Sequence, residues 1–193
     1  MPRPRTTSDE AILHAAGRAI AEHGPGGLTL AAVAREAGLS APTLVQRFGS
    51  KRGLLLAVAE RAAHDVGELF DRVRGEHPSP LAALHAALGE LAGVVESPRQ
   101  LANSLGFLQL DLTDPDFRAH AAAHADRMLA EITASLTEAV GAGELTGDPA
   151  RMARSVQIAY NGILIVWALH GNGPLTDTLR AEIDHLLTDR SPA

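Results

Sequence analysis

Four prolines between residues 80 and 149 follow directly on a serine or an aspartate: Ser79-Pro80, Ser97-Pro98, Asp114-Pro115 and Asp148-Pro149. Proline is tolerated at the first position of a helix, where its missing N–H has no intrahelical partner, and costs about 3 kcal/mol in a helix interior. A Ser or Asp just before it accepts a hydrogen bond from a backbone N–H of the first turn. Each pair therefore marks a helix start, and none interrupts an apolar stripe. The rest of the composition agrees. Alanine occupies 35 positions and leucine 27, both strong helix formers, while aromatics make up only 3%. Alternating apolar and polar runs of the strand type are lacking. The expected fold class is all-α.

The punctuation divides the chain into about nine helices. The first spans 8–23 and stops at Gly24-Pro25-Gly26-Gly27; short ones follow at 30–37 and 41–48. The fourth runs from after Ser50 to 74, with Leu54, Val58, Ala62, Val66, Phe70 and Val73 at steps of four and three. A break at Gly75-Glu76-His77-Pro78 is followed by helices at 80–96, 98–111, 115–140, 149–170 and 175–188. The domain reading is a head at 1–50, a connecting helix at 51–74 and a second domain at 75–193.

Several function classes fall away. The chain has no cysteine, which excludes disulfides, iron–sulfur ligation and thiol chemistry. It lacks a continuous apolar run of membrane-spanning length, and Met1-Pro2-Arg3-Pro4-Arg5 leads into polar residues rather than an apolar signal core. The expectation is a cytoplasmic protein without membrane contact. Neither a nucleophile elbow nor a phosphate loop nor a His-Glu-x-x-His pattern is present, so an enzyme is not expected. His120 and His124 lie one turn apart with Asp116 a turn before, a spacing that suits a divalent ion, but with no third histidine nearby the reading is no metal and no cofactor. The net charge is −6. It is unevenly spread: residues 1–74 hold ten basic and eight acidic side chains, residues 75–193 seven and fifteen. A local positive balance is compatible with a polyanionic partner.

The informative stretch is Thr29–Phe48. Two short helices flank the turn Gly38-Leu39-Ser40. Gly38 supplies the positive φ of a tight turn, Leu39 can fill the angle between the helices, Ser40 can cap the second, and Ala34 and Ala37 permit close approach. This is the pattern of a helix-turn-helix. In the second helix Leu44 and Phe48 face inward. Ala41, Pro42, Thr43, Val45, Gln46 and Arg47 face outward, where a recognition helix meets the major groove. Thr29 caps the first helix, whose N–H groups can point at a phosphate. Lys51, the only lysine, adds a point charge at the start of the fourth. The candidate DNA-binding set is Thr29, Ser40, Ala41, Pro42, Thr43, Val45, Gln46, Arg47 and Lys51.

Over about residues 8–56 the chain resembles the TetR family of bacterial transcription repressors. The resemblance rests on Ala11 to Ala16 and Ile20 to Gly24, then Thr29 to Ala34, Ala37 to Ser40, Pro42 to Leu44, Phe48, and Ser50 to Leu55. Val45 stands where the family usually carries a phosphate-contacting aromatic, and Arg47 where His or Tyr is common. Arg3 and Arg5 resemble the basic arms that enter a minor groove in some relatives. The resemblance implies a homodimer on a palindromic operator in double-stranded DNA, released by a small-molecule effector bound in the C-terminal domain. It also implies dimerisation through helices eight and nine, for which Val156, Ile163, Val166, Leu179, Ile183 and Leu186 are the candidates. Polar and aromatic residues on otherwise apolar segments supply a candidate pocket: Asn103, Phe107, His124, Met128, Tyr160, Asn161, Trp167 and His170. Two other readings stay open: a DNA-binding regulator without an effector, and a helical small-molecule-binding protein whose helix-turn-helix is vestigial.

Overall fold

The computed structural model describes residues 7–170 and 173–188. Among these residues there are nine helices and no strand: α1 (Asp9–Gly27), α2 (Leu30–Glu36), α3 (Ala41–Phe48), α4 (Lys51–Glu76), α5 (Pro80–Gly93), α6 (Pro98–Thr113), α7 (Pro115–Gly141), α8 (Pro149–His170) and α9 (Leu175–Thr188). Each Ser-Pro or Asp-Pro pair does what its sequence dictates. Ser79 Oγ accepts from Ala82 N–H at 3.1 Å, Ser97 Oγ from Gln100 N–H at 3.2 Å, Asp114 Oδ1 from Asp116 N–H at 2.9 Å and Asp148 Oδ1 from Ala150 N–H at 3.0 Å. One boundary differs. At Gly24 (φ 69°, ψ 166°) α1 breaks, and one further turn carries it through Pro25 to Gly27.

The chain divides into two compact units. The first comprises Met1–Ala62 with Ala102–Ala121, the second Ala63–Leu101 with Ala122–Ala193. The linear division at residues 50 and 74 misses this, because most of α6 and the start of α7 belong with the head. Contacts 60 to 80 residues apart leave no local sequence signal.

The first unit is built on Ile12, Ala15, Ala16 and Ile20 of α1, Val33 and Ala34 of α2, Leu44 of α3, Leu54 and Leu55 of α4, and Phe117 of α7. Phe107 packs edge-on against Phe117, with ring centres 6.2 Å apart. Fully burying a Leu, Ile or Phe contributes about 1.5–3 kcal/mol, so this small cluster is what gives α2 and α3 a fixed place. The step from α3 to α4 is tight. A Cβ on Gly53 would stand 2.0 Å from the Phe48 carbonyl oxygen.

The second unit has the larger core: Val66, Phe70 and Val73 of α4; Leu84 and Leu88 of α5; Met128, Ile132 and Leu136 of α7; Met152, Val156 and Tyr160 of α8; Leu179 and Ile183 of α9. Burial alone pushes the Tyr160 hydroxyl pKa above its ordinary value. Glu131, buried on α7, joins two helices through charge: its carboxylate takes Arg127 at 2.7 Å and Arg74 of α4 at 3.0 Å. Trp167 Nε1 donates to Gly173 O at 3.0 Å beyond the end of α8. By length and composition alone α8 is apolar enough to cross a membrane, with a mean hydropathy of 1.2. One of its faces is nevertheless committed to this core through Met152, Ala153, Val156 and Tyr160.

Two glycines should respond oppositely to alanine. Gly53→Ala forces backbone apart and should cost about 1–3 kcal/mol. Gly17, mid-helix in α1 with open space around its Cα, should gain about 0.5–1 kcal/mol as Ala. Urea unfolding of both variants checks the pair; equal effects would refute the close approach at Phe48.

Candidate nucleic-acid interface

The helix-turn-helix is assembled by local hydrogen bonds that its sequence encodes. Thr29 Oγ1 accepts from Ala32 N–H at 3.1 Å and starts α2. Gly38 takes φ +67°, and Leu39 N–H returns to Ala34 O at 2.8 Å to close the turn. Ser40 Oγ accepts from Thr43 N–H at 3.4 Å and lies 2.8 Å from Thr43 Oγ1. Leu44 is wholly buried and fixes the rotation of α3. That rotation leaves Pro42, Val45 and Gln46 exposed, with Ala41 and Thr43 half-buried beside them. Val45 is a large apolar side chain 47% exposed, which suits contact with a thymine methyl or a sugar.

The cationic candidates are placed differently from the sequence expectation. Arg47 Nη1 donates to Thr7 O at 2.6 Å and to Asp9 Oδ1 at 3.1 Å. Lys51 Nζ donates to Gly26 O at 2.8 Å, at the end of α1, and keeps two of its three N–H donors. Arg52, not anticipated as a site residue, reaches Asp114 (3.0 and 2.8 Å) and Asp116 (2.8 Å), with its guanidinium 5.6 Å from the Phe117 ring centre. The hydrogen bonds it donates to Asp116 and Asp114 raise the Arg52 pKa, and Arg52 in turn holds the Asp114 carboxyl below the usual carboxylate range. Arg3 and Arg5 lie outside the described residues.

The residues expected to line one ligand pocket are dispersed. Asn103 and Phe107 belong to the first unit. The Asn103 side-chain amide donates to Ala21 O (3.0 Å) and Glu22 O (2.8 Å), satisfying carbonyls left open where α1 breaks. It borders a depression of about 430 Å3 lined also by Gly24, Gly26, Lys51, Gly106 and Gln109. In the second unit Met128 and Tyr160 are core, His124 is half-buried and Asn161 is exposed. Trp167 and His170 line an open, mostly apolar groove of about 600 Å3 between α8 and α9, with Ile158, Gly162, Val166 and Glu182. Among the described residues no group of three His, Asp or Glu side chains assembles that could hold a metal.

The interface candidates divide in the same way. Val156, Leu179 and Ile183 are buried within their own unit, leaving no surface for another chain. Ile163 and Leu186 are half-buried. Val166 is 55% exposed and lies with Ile158 (74%), Ile165 (44%) and Leu169 (78%) on the outer face of α8. Because α8 is apolar nearly all round, its periodicity could not tell the inner face from the outer.

A capped helix-turn-helix whose second helix exposes its outer face is an arrangement that can enter a major groove. Residues 12–58 match the family model described as bacterial regulatory proteins, tetR family. No curated protein matches it. Solved structures with the same fold include the transcriptional regulator FadR from Bacillus subtilis in complex with stearoyl-CoA (17% identity, 95% of this chain and 100% of that one, TM-score 0.71). A TetR transcription regulator from Haloarcula marismortui is similar (21%, 93% and 95%, TM-score 0.74). So is Thermus thermophilus FadR in complex with lauroyl-CoA (23%, 96% and 98%, TM-score 0.61).

The Arg52–Asp114 pair carries a pH signature. A carboxyl whose folded pKa is depressed contributes stability above its unfolded value of about 3.9, and that contribution is lost as pH falls through the folded value. Asp114→Asn keeps the helix cap and removes the charge. Its urea midpoint should lie below wild type at pH 6, and the gap should close as pH falls below about 4. A gap that stays constant with pH would show that the pair adds nothing.

Proposed function

We propose that the chain is a homodimeric transcriptional repressor whose two heads bind a palindromic operator and are released when a small molecule occupies the second unit. The observation that carries this reading is the outward surface of α3: a capped recognition helix with Pro42, Thr43, Val45 and Gln46 presented around its N-terminal and central turns. Thr43 and Gln46 are the base-reading candidates. Thr29 at the start of α2 and Lys51 at the start of α4 are the phosphate candidates. The reading places the chain in the cytoplasm with its DNA.

The dimer is supported by the outer face of α8. Ile158, Ile165, Val166 and Leu169 form an exposed apolar strip at helical spacing, and a strip of that kind on a soluble chain marks an interaction surface. Two heads so joined would meet successive major grooves roughly 34–36 Å apart. Release by an effector requires that the ligand favour a head spacing unfit for the operator, and by linkage operator DNA weakens the ligand equally. Two proteins of this fold hold acyl-CoA, which makes long-chain acyl-CoA the first effector class to try.

Selection of the purified protein on random duplex DNA at fixed salt should enrich a palindrome. Thr43→Ala and Gln46→Ala should each relax the preference at particular positions, at about 1–3 kcal/mol per lost base contact. A folded dimer that enriches nothing would overturn the reading in favour of a helical ligand-binding protein. Leu169→Asp changes an exposed side chain and should leave the fold intact while converting dimer to monomer in sedimentation. A variant that stays dimeric would remove the outer face of α8 from the interface.

A further inference from the structure

We propose, on the DNA-binding reading above, that Val45 is a specificity-determining residue: its isopropyl group reads the C5-methyl group of thymine in the major groove, a preference that no hydrogen bond from this surface supplies.

Val45 is set apart by where its exposure falls. Among the described residues it is the one large hydrophobic side chain of α1, α2 or α3 that lies exposed. The other apolar residues of its helix are turned in: Leu44 is wholly buried, and Ala41 and Phe48 pack against the cluster of the first unit. Val45 belongs to neither apolar cluster. A valine in a helix gives up χ1 freedom and favours the helix less than alanine, glutamine or arginine does. In the eight-residue α3 no burial offsets that loss within the chain, so the side chain gains an apolar partner only from outside it.

The position of Val45 on α3 decides what that partner is. Successive residues turn by about 100° around a helix, so with Leu44 pointing inward Val45 stands about 100° and Gln46 about 200° from the buried side. Both are exposed and share the outward arc with Pro42. The major groove offers donors and acceptors at every base pair and one methyl group, that of thymine. A phosphate oxygen gives an isopropyl group nothing to bond and loses water against it. Thr43 carries the other methyl of this face, but it is half-buried and its hydroxyl lies 2.8 Å from Ser40 Oγ. Burial of one methyl group is worth about fourfold in affinity, enough to select thymine over cytosine at a position where Val45 meets it.

The test replaces thymine by deoxyuridine, which keeps every hydrogen-bonding group and deletes only the methyl. It is applied position by position to the palindrome that selection recovers, with the full-length protein. At one symmetry-related pair of thymines, uracil should weaken wild-type binding about fourfold per half-site, roughly 15-fold in all. Val45→Ala should bind the thymine duplex as weakly as wild type binds the uracil duplex, and should no longer distinguish the two. Circular dichroism should show its helix content unchanged, since the side chain lies outside both cores. Gln46→Ala should keep the loss on uracil substitution at that pair. Uracil tolerated at every position would overturn the inference. So would a loss that survives in Val45→Ala, or one that disappears in Thr43→Ala instead. A folded dimer that selects no sequence would remove the DNA-binding reading itself, and the role of Val45 with it.

Discussion

A recognition helix of eight residues, preceded by one of seven, cannot hold its shape alone in water. Helix nucleation is unfavourable, and isolated helices shorter than about 12–15 residues are marginal even with the best formers. The reading surface therefore depends on Leu44, Val33 and Ala34, each almost fully buried, and on the platform of Ile12, Ala16, Leu54 and Phe117 that receives them. Caps at Thr29 and Ser40 set where the helices begin. Burial of Leu44 sets which side of α3 faces out. Every outward residue of the candidate interface is exposed as a consequence of that one packing decision.

The platform is extended by residues far along the chain, and polar bonds hold them there. Asn103 ties α6 to the broken end of α1, and Arg52 ties the α6–α7 junction to the first turn of α4. Neither bond is strong by itself, since an exposed ion pair or amide hydrogen bond gains little over the hydration of its partners. Their value is directional. They select one placement of α6 on a hydrophobic cluster that would tolerate several, which is the role polar contacts can play when apolar burial supplies most of the stabilisation.

Most of the architecture was legible because the local chemistry is unambiguous. The Ser-Pro and Asp-Pro pairs placed the starts of α5 to α8 to the residue, and the turn Gly38-Leu39-Ser40 placed α2 and α3. Two things were not legible. Membership of α6 in the head depends on Asn103 meeting Ala21 and on Phe107 meeting Phe117, and side-chain identity does not announce such distant pairings. The inner face of α8 was hidden because apolar residues surround the helix, so Val156 and Val166 read alike in sequence while one is core and the other surface. On the reading surface the residue types were visible, but the partners of Arg47 and Lys51 were not, since Thr7 O and Gly26 O are backbone acceptors that any sequence would supply.

Those partners bear on how an acidic protein holds a polyanion. Of the head's cations, Arg18, Arg47, Lys51, Arg52 and Arg61 each have an acceptor within the chain. A cation already bonded to a carboxylate offers phosphate only the difference between two pairings, and the carboxylate beside it repels the backbone. Arg52 with two aspartates and Arg18 with Glu36 therefore add little to a DNA-facing field. Lys51 stands apart, because its bond goes to a neutral carbonyl, whereas Arg47 also meets the Asp9 carboxylate. A carbonyl screens less of the charge than a carboxylate does, and Lys51 retains two donors. The positive potential of the head is thus set less by the count of basic residues than by which of them the fold pairs with peptide oxygens rather than with acids. On that count the least neutralised of these cations is Lys51, at the start of α4.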